Sequence, residues 1–228
     1  SLARQGMPLL LVDDGSTDAT LPLLHGIAAT ATAEGHDVGV LALPLNRGKA
    51  EAVRHGMLRA IDEGATLVAY ADSDLATPPE ELVRLIEIAR ATTAQVVMGS
   101  RVARAGAHIE RSTKRHVLGR VWATAASLIL RARFYDTQCG AKVFKVTPTL
   151  RAVLSFPFLS RWGFDVEFIA RLLTGARGST PLNEDDFLEV PLERWNDVKG
   201  SKLGLAAMAR AAIDLGRIEL ETRKLRRR

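Results

Sequence analysis

Asp72-Ser73-Asp74 follows the apolar run Thr66–Ala71, placing two carboxylates one residue apart at the end of an expected strand. Such a pair can share a hard divalent cation: Mg²⁺ or Mn²⁺ takes oxygen ligands and leaves other positions for substrate phosphates. The alternative is an acidic turn leading into the helix that Pro78 opens. Asp13-Asp14-Gly15 ends an earlier apolar run. Its acids can accept hydrogen bonds from a base or ribose, and Gly15 permits close backbone approach; equally, the stretch can be an Asx-type turn capping the next helix. Asn46-Arg47-Gly48-Lys49 leads into the second helical stretch, 48–63. Free amides at a helix start, with a lysine beside them, can hold phosphate. Walker A spacing and the G-x-G-x-x-G fingerprint are both absent, which disfavours P-loop and dinucleotide readings.

The elements that must position these residues alternate. Met7–Val12, Val38–Leu43, Thr66–Ala71 and Gln95–Met98 read as short buried strands, and 18–33, 48–63 and 78–90 as helices, with Asp18 as an N-cap and Pro78, Pro79, Glu80 and Glu81 opening the third. This β-α order predicts a mostly parallel, doubly wound α/β sheet with ligands at the carboxyl ends of its strands. The second half is less regular. A basic amphipathic segment is expected at 113–133, strands at Ala141–Val146 and Phe187–Leu192, a helix at Phe164–Leu173, a loop at 174–185, and a last helix from Leu203. The expected organisation is one domain over 1–202 and a basic amphipathic helix or tail over 203–228.

Taken in order, these pieces resemble the family 2 glycosyltransferases of GT-A fold. The matching stretches are V-D-D-G-S-T-D (12–18), N-R-G-K-A-E-A-V-R-H-G (46–56), A-D-S-D (71–74) and G-S-R (99–101). More specifically, D-T-Q-C-G-A-K-V-F (136–144), R-W-G-F-D-V-E-F (161–168) and W-N-D-V-K-G-S-K-L (195–203) resemble the dolichyl-phosphate β-glucosyltransferase branch. Dolichyl-phosphate mannose synthases carry a different sequence at the first of these three. Enzymes of this kind begin with a strand and a proline-aromatic-asparagine-glutamate loop. Here Met7 already opens the Asp13 strand, so that first strand is expected to be missing, as is the branch's membrane anchor.

The resemblance implies inverting transfer of a hexose from a nucleoside-diphosphate sugar, UDP-glucose favoured, to a polyprenyl or dolichyl phosphate. A related transferase using GDP-mannose or another donor, and an inactive GT-A scaffold, are the alternatives. It implies Asp74 as metal ligand and Asp72 on metal or ribose, with Asp13, Asp14, Gly15 and Lys49 around the nucleotide. Arg101 and Arg115 are the candidates for the acceptor phosphate, with Arg111 and Lys114 close alternatives to the latter. Asp136 is the candidate nearest the reacting centre, as general base or acceptor-orienting group, or else a turn acid; Gln138 and Lys142 are expected beside it. Cys139 lacks an adjacent base and reads as a packed residue. Trp162, Asp165 and Glu167 lie either near the acceptor or at an acid-favouring helix start. Trp195, Lys199, Ser201 and Lys202 form either a closing loop or an ordinary polar one.

Charge distribution agrees with anionic partners. The 228-residue chain has net charge +5, but residues 99–133 carry +7 and 217–228 carry +4, leaving −6 elsewhere. An anionic membrane surface fits both patches, and a peripheral position on the cytoplasmic, inner face of a membrane is expected. Nucleic acid is disfavoured: no helix-turn-helix, zinc-finger or aromatic stacking motif is present, and aromatics make up 5% of the chain. The single cysteine excludes an internal disulfide and a cysteine zinc site. No run of 18 apolar residues predicts a membrane-spanning helix.

Overall fold

A computed structural model describes residues 2–102, 108–109, 124–161, 163–175, 178–196 and 205–226. In chain order the elements are β1 (Leu9–Asp13), α1 (Thr20–Ala33), β2 (Val38–Ala42), α2 (Lys49–Asp62), β3 (Leu67–Ala71), α3 (Pro79–Ala91), β4 (Val96–Ser100) and β5 (His108–Ile109). After α4 (124–130) come β6 (Ala141–Lys145), α5 (Pro148–Leu154), α6 (Phe164–Thr174), β7 (Phe187–Pro191), β8 (Arg194–Trp195) and α7 (Leu205–Arg226). Helix α5 is absent from the sequence expectation. It is only seven residues long, but Thr147 caps it by accepting the Leu150 amide at 3.1 Å, and Pro148 occupies its first turn. Of the expected amphipathic segment 113–133, the part before Thr124 lies outside the described residues.

The principal sheet is mixed rather than purely parallel, where a mostly parallel, doubly wound one is expected. Its order is β3-β6-β4-β7; β6 runs antiparallel to both β3 and β4, and β7 runs parallel to β4. Strands β3 and β4 therefore point the same way, as the β-α alternation requires, but β6 is inserted between them in reverse. The reversal has a consequence for chemistry. The loop that enters β6 lies at the carboxyl ends of β3 and β4, beside the tips that the sequence marks as polar. Strands β1 and β2 form a separate parallel pair, and β5 pairs with β8. Helix α2 packs against both β1 and β3, although no ladder joins those two strands. Among the described residues no strand precedes Leu9; Ala3–Gln5 form a 3₁₀ turn.

Period-two alternation sorts side chains onto two faces of the sheet. Val68, Tyr70, Val96, Met98 and Phe144 join one core with Phe164 and Phe168 of α6. Val97, Ala141 and Val143 join the other, with Leu82, Leu85 and Ile86 of α3. Phe144 stacks on Phe168 with ring centroids 4.8 Å apart. Helix α7 is part of the first core: Leu215 and Ile218 are buried in it. The expected last helix thus forms and packs on α6. No helix among the described residues is long and apolar enough to cross a membrane.

Candidate active site

The polar ends of β1, β3 and β4 meet the start of α2 and the turn 136–140. Asp13 ends β1 and is buried; its Oδ2 accepts the Ser16 amide at 3.0 Å, while Oδ1 is buried without a hydrogen-bond partner. A buried acceptor of this kind is costly unless a ligand satisfies it. Asp14 has a different partner from the nucleotide expected for it. Its carboxylate accepts the amides of Arg47 at 2.9 Å and Gly48 at 2.7 Å, tying the β1 tip to the loop before α2. Gly15 serves the same junction. It has φ +66°, and a Cβ there would lie 2.5 Å from the Leu45 carbonyl carbon, so glycine permits the close approach of the chain at Leu45.

Lys49 opens α2 and places Nζ 2.5 Å from Asp72 Oδ1. Burial alone would lower its pKa, but the charges of Asp165, Asp72 and Asp74 outweigh that effect and hold the ammonium above the usual lysine value. The two acids of the triplet are thereby distinguished. Asp72 is neutralised from within the protein. Asp74 is exposed and commits one oxygen to the Ala76 amide at 3.0 Å. Leu75 follows at φ +56°, a left-handed conformation unusual for leucine, which fits a turn held in shape for function.

A cation site built by protein alone is not present among the described residues, since no group of three His, Cys, Asp or Glu side chains converges. The donor set suits the other arrangement open to Mg²⁺ or Mn²⁺, in which one or two carboxylates bind and substrate phosphates complete the shell. Asp74 fits that role directly, and Asp72 fits it on exchanging Lys49 for the ion.

Asp72 is fixed from behind by the turn into β6. Its amide donates to the Gly140 carbonyl at 3.0 Å, and a Cβ on Gly140 would overlap the Asp72 carboxylate. Gly140→Ala is therefore expected to cost about 1–3 kcal/mol in urea unfolding, the usual penalty of overpacking, because it displaces Asp72 and with it Lys49. An alanine variant with unchanged stability would contradict this.

The same turn carries Asp136. Arg101, just past β4, donates to Asp136 Oδ2 through its backbone amide at 3.1 Å and Nε at 2.6 Å, and to Oδ1 through Nη2 at 2.8 Å. The Arg101 guanidinium carbon lies over the Trp195 ring, 5.4 Å from its centroid. Burial would depress the Arg101 pKa, but Asp136 more than reverses this, so the guanidinium stays charged. Two predicted residues, one assigned to acceptor phosphate and one to the reacting centre, are thus a single clasped pair. Arg115, like Trp162, Lys199, Ser201 and Lys202, lies outside the described residues.

Two supporting residues were not anticipated. Glu189 of β7 accepts the amides of Tyr135 at 2.7 Å and Asp136 at 2.9 Å, holding the backbone that presents the Asp136 carboxylate. Burial pushes its pKa up against those hydrogen bonds. An acid inside the otherwise apolar run F-L-E-V was the available signal. Tyr70, an apparent core aromatic, has its hydroxyl on Asp165. Asp165 and Glu167 do point to different places: Glu167 accepts the amides of Leu159 and Ser160 at 2.9 and 3.1 Å and pairs with Arg171. Cys139 is buried, with its thiol pushed up to about 11 by burial, in keeping with a packing role.

Hard carboxylates, a lysine at a helix start and a clasped arginine, all at the carboxyl edge of a mixed α/β sheet, are suited to handling phosphorylated substrates. A family model described as Glycosyl transferase family 2 matches residues 1–153, and the chain belongs to that family. The mixed sheet flanked by helices agrees with the expected GT-A fold. The chain is 35% identical over 207 residues to a dolichyl-phosphate beta-glucosyltransferase of Drosophila melanogaster, covering 86% of this chain and 57% of the relative. It is 29% identical to dolichyl-phosphate beta-glucosyltransferase ALG5C of Trichomonas vaginalis, covering 93% and 59%. It is also 29% identical to an undecaprenyl-phosphate mannosyltransferase of Micrococcus luteus, covering 72% and 65%. The chain thus spans less than two thirds of the length of these relatives.

Proposed function

We propose that the chain transfers a hexose, glucose in the favoured case, from a nucleoside-diphosphate sugar such as UDP-glucose to a polyprenyl phosphate, with inversion. The observation that carries this reading is the apposition of two differently charged arms at one sheet edge. Lys49, Asp72 and Asp74 form the donor arm, and Arg101 with Asp136 forms the acceptor arm. Mg²⁺ or Mn²⁺ on Asp74, shared with Asp72, would neutralise charge on the departing diphosphate. Asp13 offers its unsatisfied oxygen to the nucleoside. Lys49 is placed to follow the phosphates once Asp72 turns to the ion.

A lipid monophosphate is already largely ionised at neutral pH, so its oxygen can attack the sugar C1 without a strong base. In this reading Asp136 orients Arg101 rather than removing a proton. It occupies Nε and Nη2 and leaves Nη1 outside the pair, available to the acceptor phosphate. The new C1–O bond forms as the bond to the diphosphate breaks, and the nucleoside diphosphate leaves with its electron pair.

The acceptor implies a peripheral position on an anionic membrane surface, at its cytoplasmic face. Helix α7 offers exposed Ile213 and Leu220 beside Arg217, Arg223 and Lys224. Its cations are partly compensated by Asp214, Glu219 and Glu221 along the same helix, so contact with lipid would rest on apolar insertion as much as on charge.

The test is lipid-linked product formation from a panel of UDP- and GDP-sugars, with polyprenyl phosphate and Mg²⁺ or Mn²⁺. Glucosyl lipid from UDP-glucose is expected. Product only from GDP-mannose would overturn the donor assignment, and metal-dependent binding of nucleotide sugars without any lipid product would overturn the acceptor assignment.

A further inference from the structure

Lys142 is a lysine inside the core. It is 1% exposed, on the face of β6 that carries Phe144, directly opposite Tyr70 on one side and Met98 on the other. Its ammonium has three N–H groups and three acceptors: Asp165 Oδ1 at 2.5 Å, the Cys139 carbonyl at 2.7 Å and the Tyr70 hydroxyl at 3.1 Å. These belong to α6, to the turn before β6 and to β3. Tyr70 also donates to Asp165 Oδ1, and burial together with the Asp165 charge holds its pKa well above the usual value, so it remains a phenol. Each N–H of Lys142 has an acceptor, yet an ion pair removed from water is a poor source of stability compared with apolar side chains of the same volume. Its value must lie in what it holds in place.

What it holds is the turn of the clasp. Cys139 stands three residues after Asp136 and directly before Gly140, whose carbonyl receives the Asp72 amide. The N–H from Lys142 to Cys139 is thus a buried link between α6 and a turn whose two ends touch the two arms of the site. Asp165 has a second influence, because its charge also bears on Lys49. With Lys142 and Tyr70 directed at one oxygen of Asp165, Lys49 remains with Asp72.

We propose that Lys142 and Asp165 are positioning residues: the buried pair sets the 136–140 turn so that Asp136 meets Arg101 and Gly140 backs Asp72. Its catalytic consequence rests on the transferase reading above, but its structural content does not.

The test uses the double variant Lys142→Met/Asp165→Asn, which removes both buried charges together and so avoids stranding either one. Hydrogen exchange is followed at the amides of Arg101, Asp136 and Gln138, each bonded within the clasp or to Glu189 and none bonded to Lys142. Exchange at these amides is expected to be about tenfold faster, with the β3 amides unchanged. In the same variant, kcat for lipid glycosylation is expected to fall by about 10- to 100-fold, and donor KM to rise by more than about threefold, because the same turn backs Asp72 of the donor arm. Wild-type protection of the three amides would overturn the proposal whether or not the enzyme is active. A variant with loosened amides and undiminished kcat would overturn the catalytic consequence. If the wild-type chain glycosylates no lipid, the functional reading fails and the exchange measurement still decides the positioning role. Should the double variant not fold, Asp165→Asn alone is read at the same amides: it keeps an oxygen for Lys142 and Tyr70 but no charge. Faster exchange supports the proposal and unchanged exchange overturns it.

Discussion

Asp136→Asn is expected to lower kcat by about 10²–10³-fold while leaving donor KM within about threefold, because it breaks the orientation of the acceptor arm and spares the donor arm. The wild-type carboxylate receives three hydrogen bonds from Arg101 and one, at 3.3 Å, from the Gln138 amide. Asparagine has one oxygen. Whichever way its amide turns, an NH₂ group faces an N–H donor, and Arg101 loses the two-point seat that fixes its plane. Hydrogen bonds to charged groups are worth about 1.5–3 kcal/mol each, so the loss of one or two of them from the productive geometry gives an effect of this order. Steady-state kinetics with the donor varied at saturating lipid phosphate check it. Turnover near the wild-type level would show that the clasp is structural, and a rise in donor KM with kcat unchanged would place Asp136 on the nucleotide sugar instead.

Asp74→Ala carries the other large effect: loss of metal-dependent transfer, by about 10³-fold or more if the ion supplies several kcal/mol of charge stabilisation. The substitution is informative because Asp74 contributes little to the fold. It is exposed and, among the described residues, receives only the amide two residues on, so unfolding free energy should fall by no more than about 1 kcal/mol. Asp72→Ala would be harder to interpret, since it also releases Lys49 and the packing against Gly140. Turnover measured against Mg²⁺ and Mn²⁺ concentration, beside a urea unfolding curve, separates the two. Full metal-dependent activity in a folded Asp74→Ala chain would remove Asp74 from the site.

The clustering of the site was legible in the chain where it depends on strand ends. Apolar runs closed by Asp13, Asp72 and Ser100-Arg101 are local patterns, and each forms a strand whose tip lies where the pattern puts it. The partners of those tips were not legible. Asp14 reads as an acceptor for a base or ribose or as part of an Asx-type turn, and only the fold shows the loop at Arg47 and Gly48 using both of its oxygens. Asp165 and Glu167 read as acids either near the acceptor or at a helix start, and their actual partners were not legible because these come from β6, β3 and the 159–160 loop. Lys142 reads as a neighbour of Asp136, and nothing local says that three acceptors converge on it.

Local order in the chain determined the elements, the faces they bury and the kinds of chemistry their tips can support, since side-chain period and turn residues act over a few positions. Tertiary structure decided which tips work together. The reversal of β6 between β3 and β4 is a long-range pairing that no local pattern encodes. By that reversal Asp136 reaches Arg101, 35 residues away in sequence, and Gly140 comes to rest against Asp72.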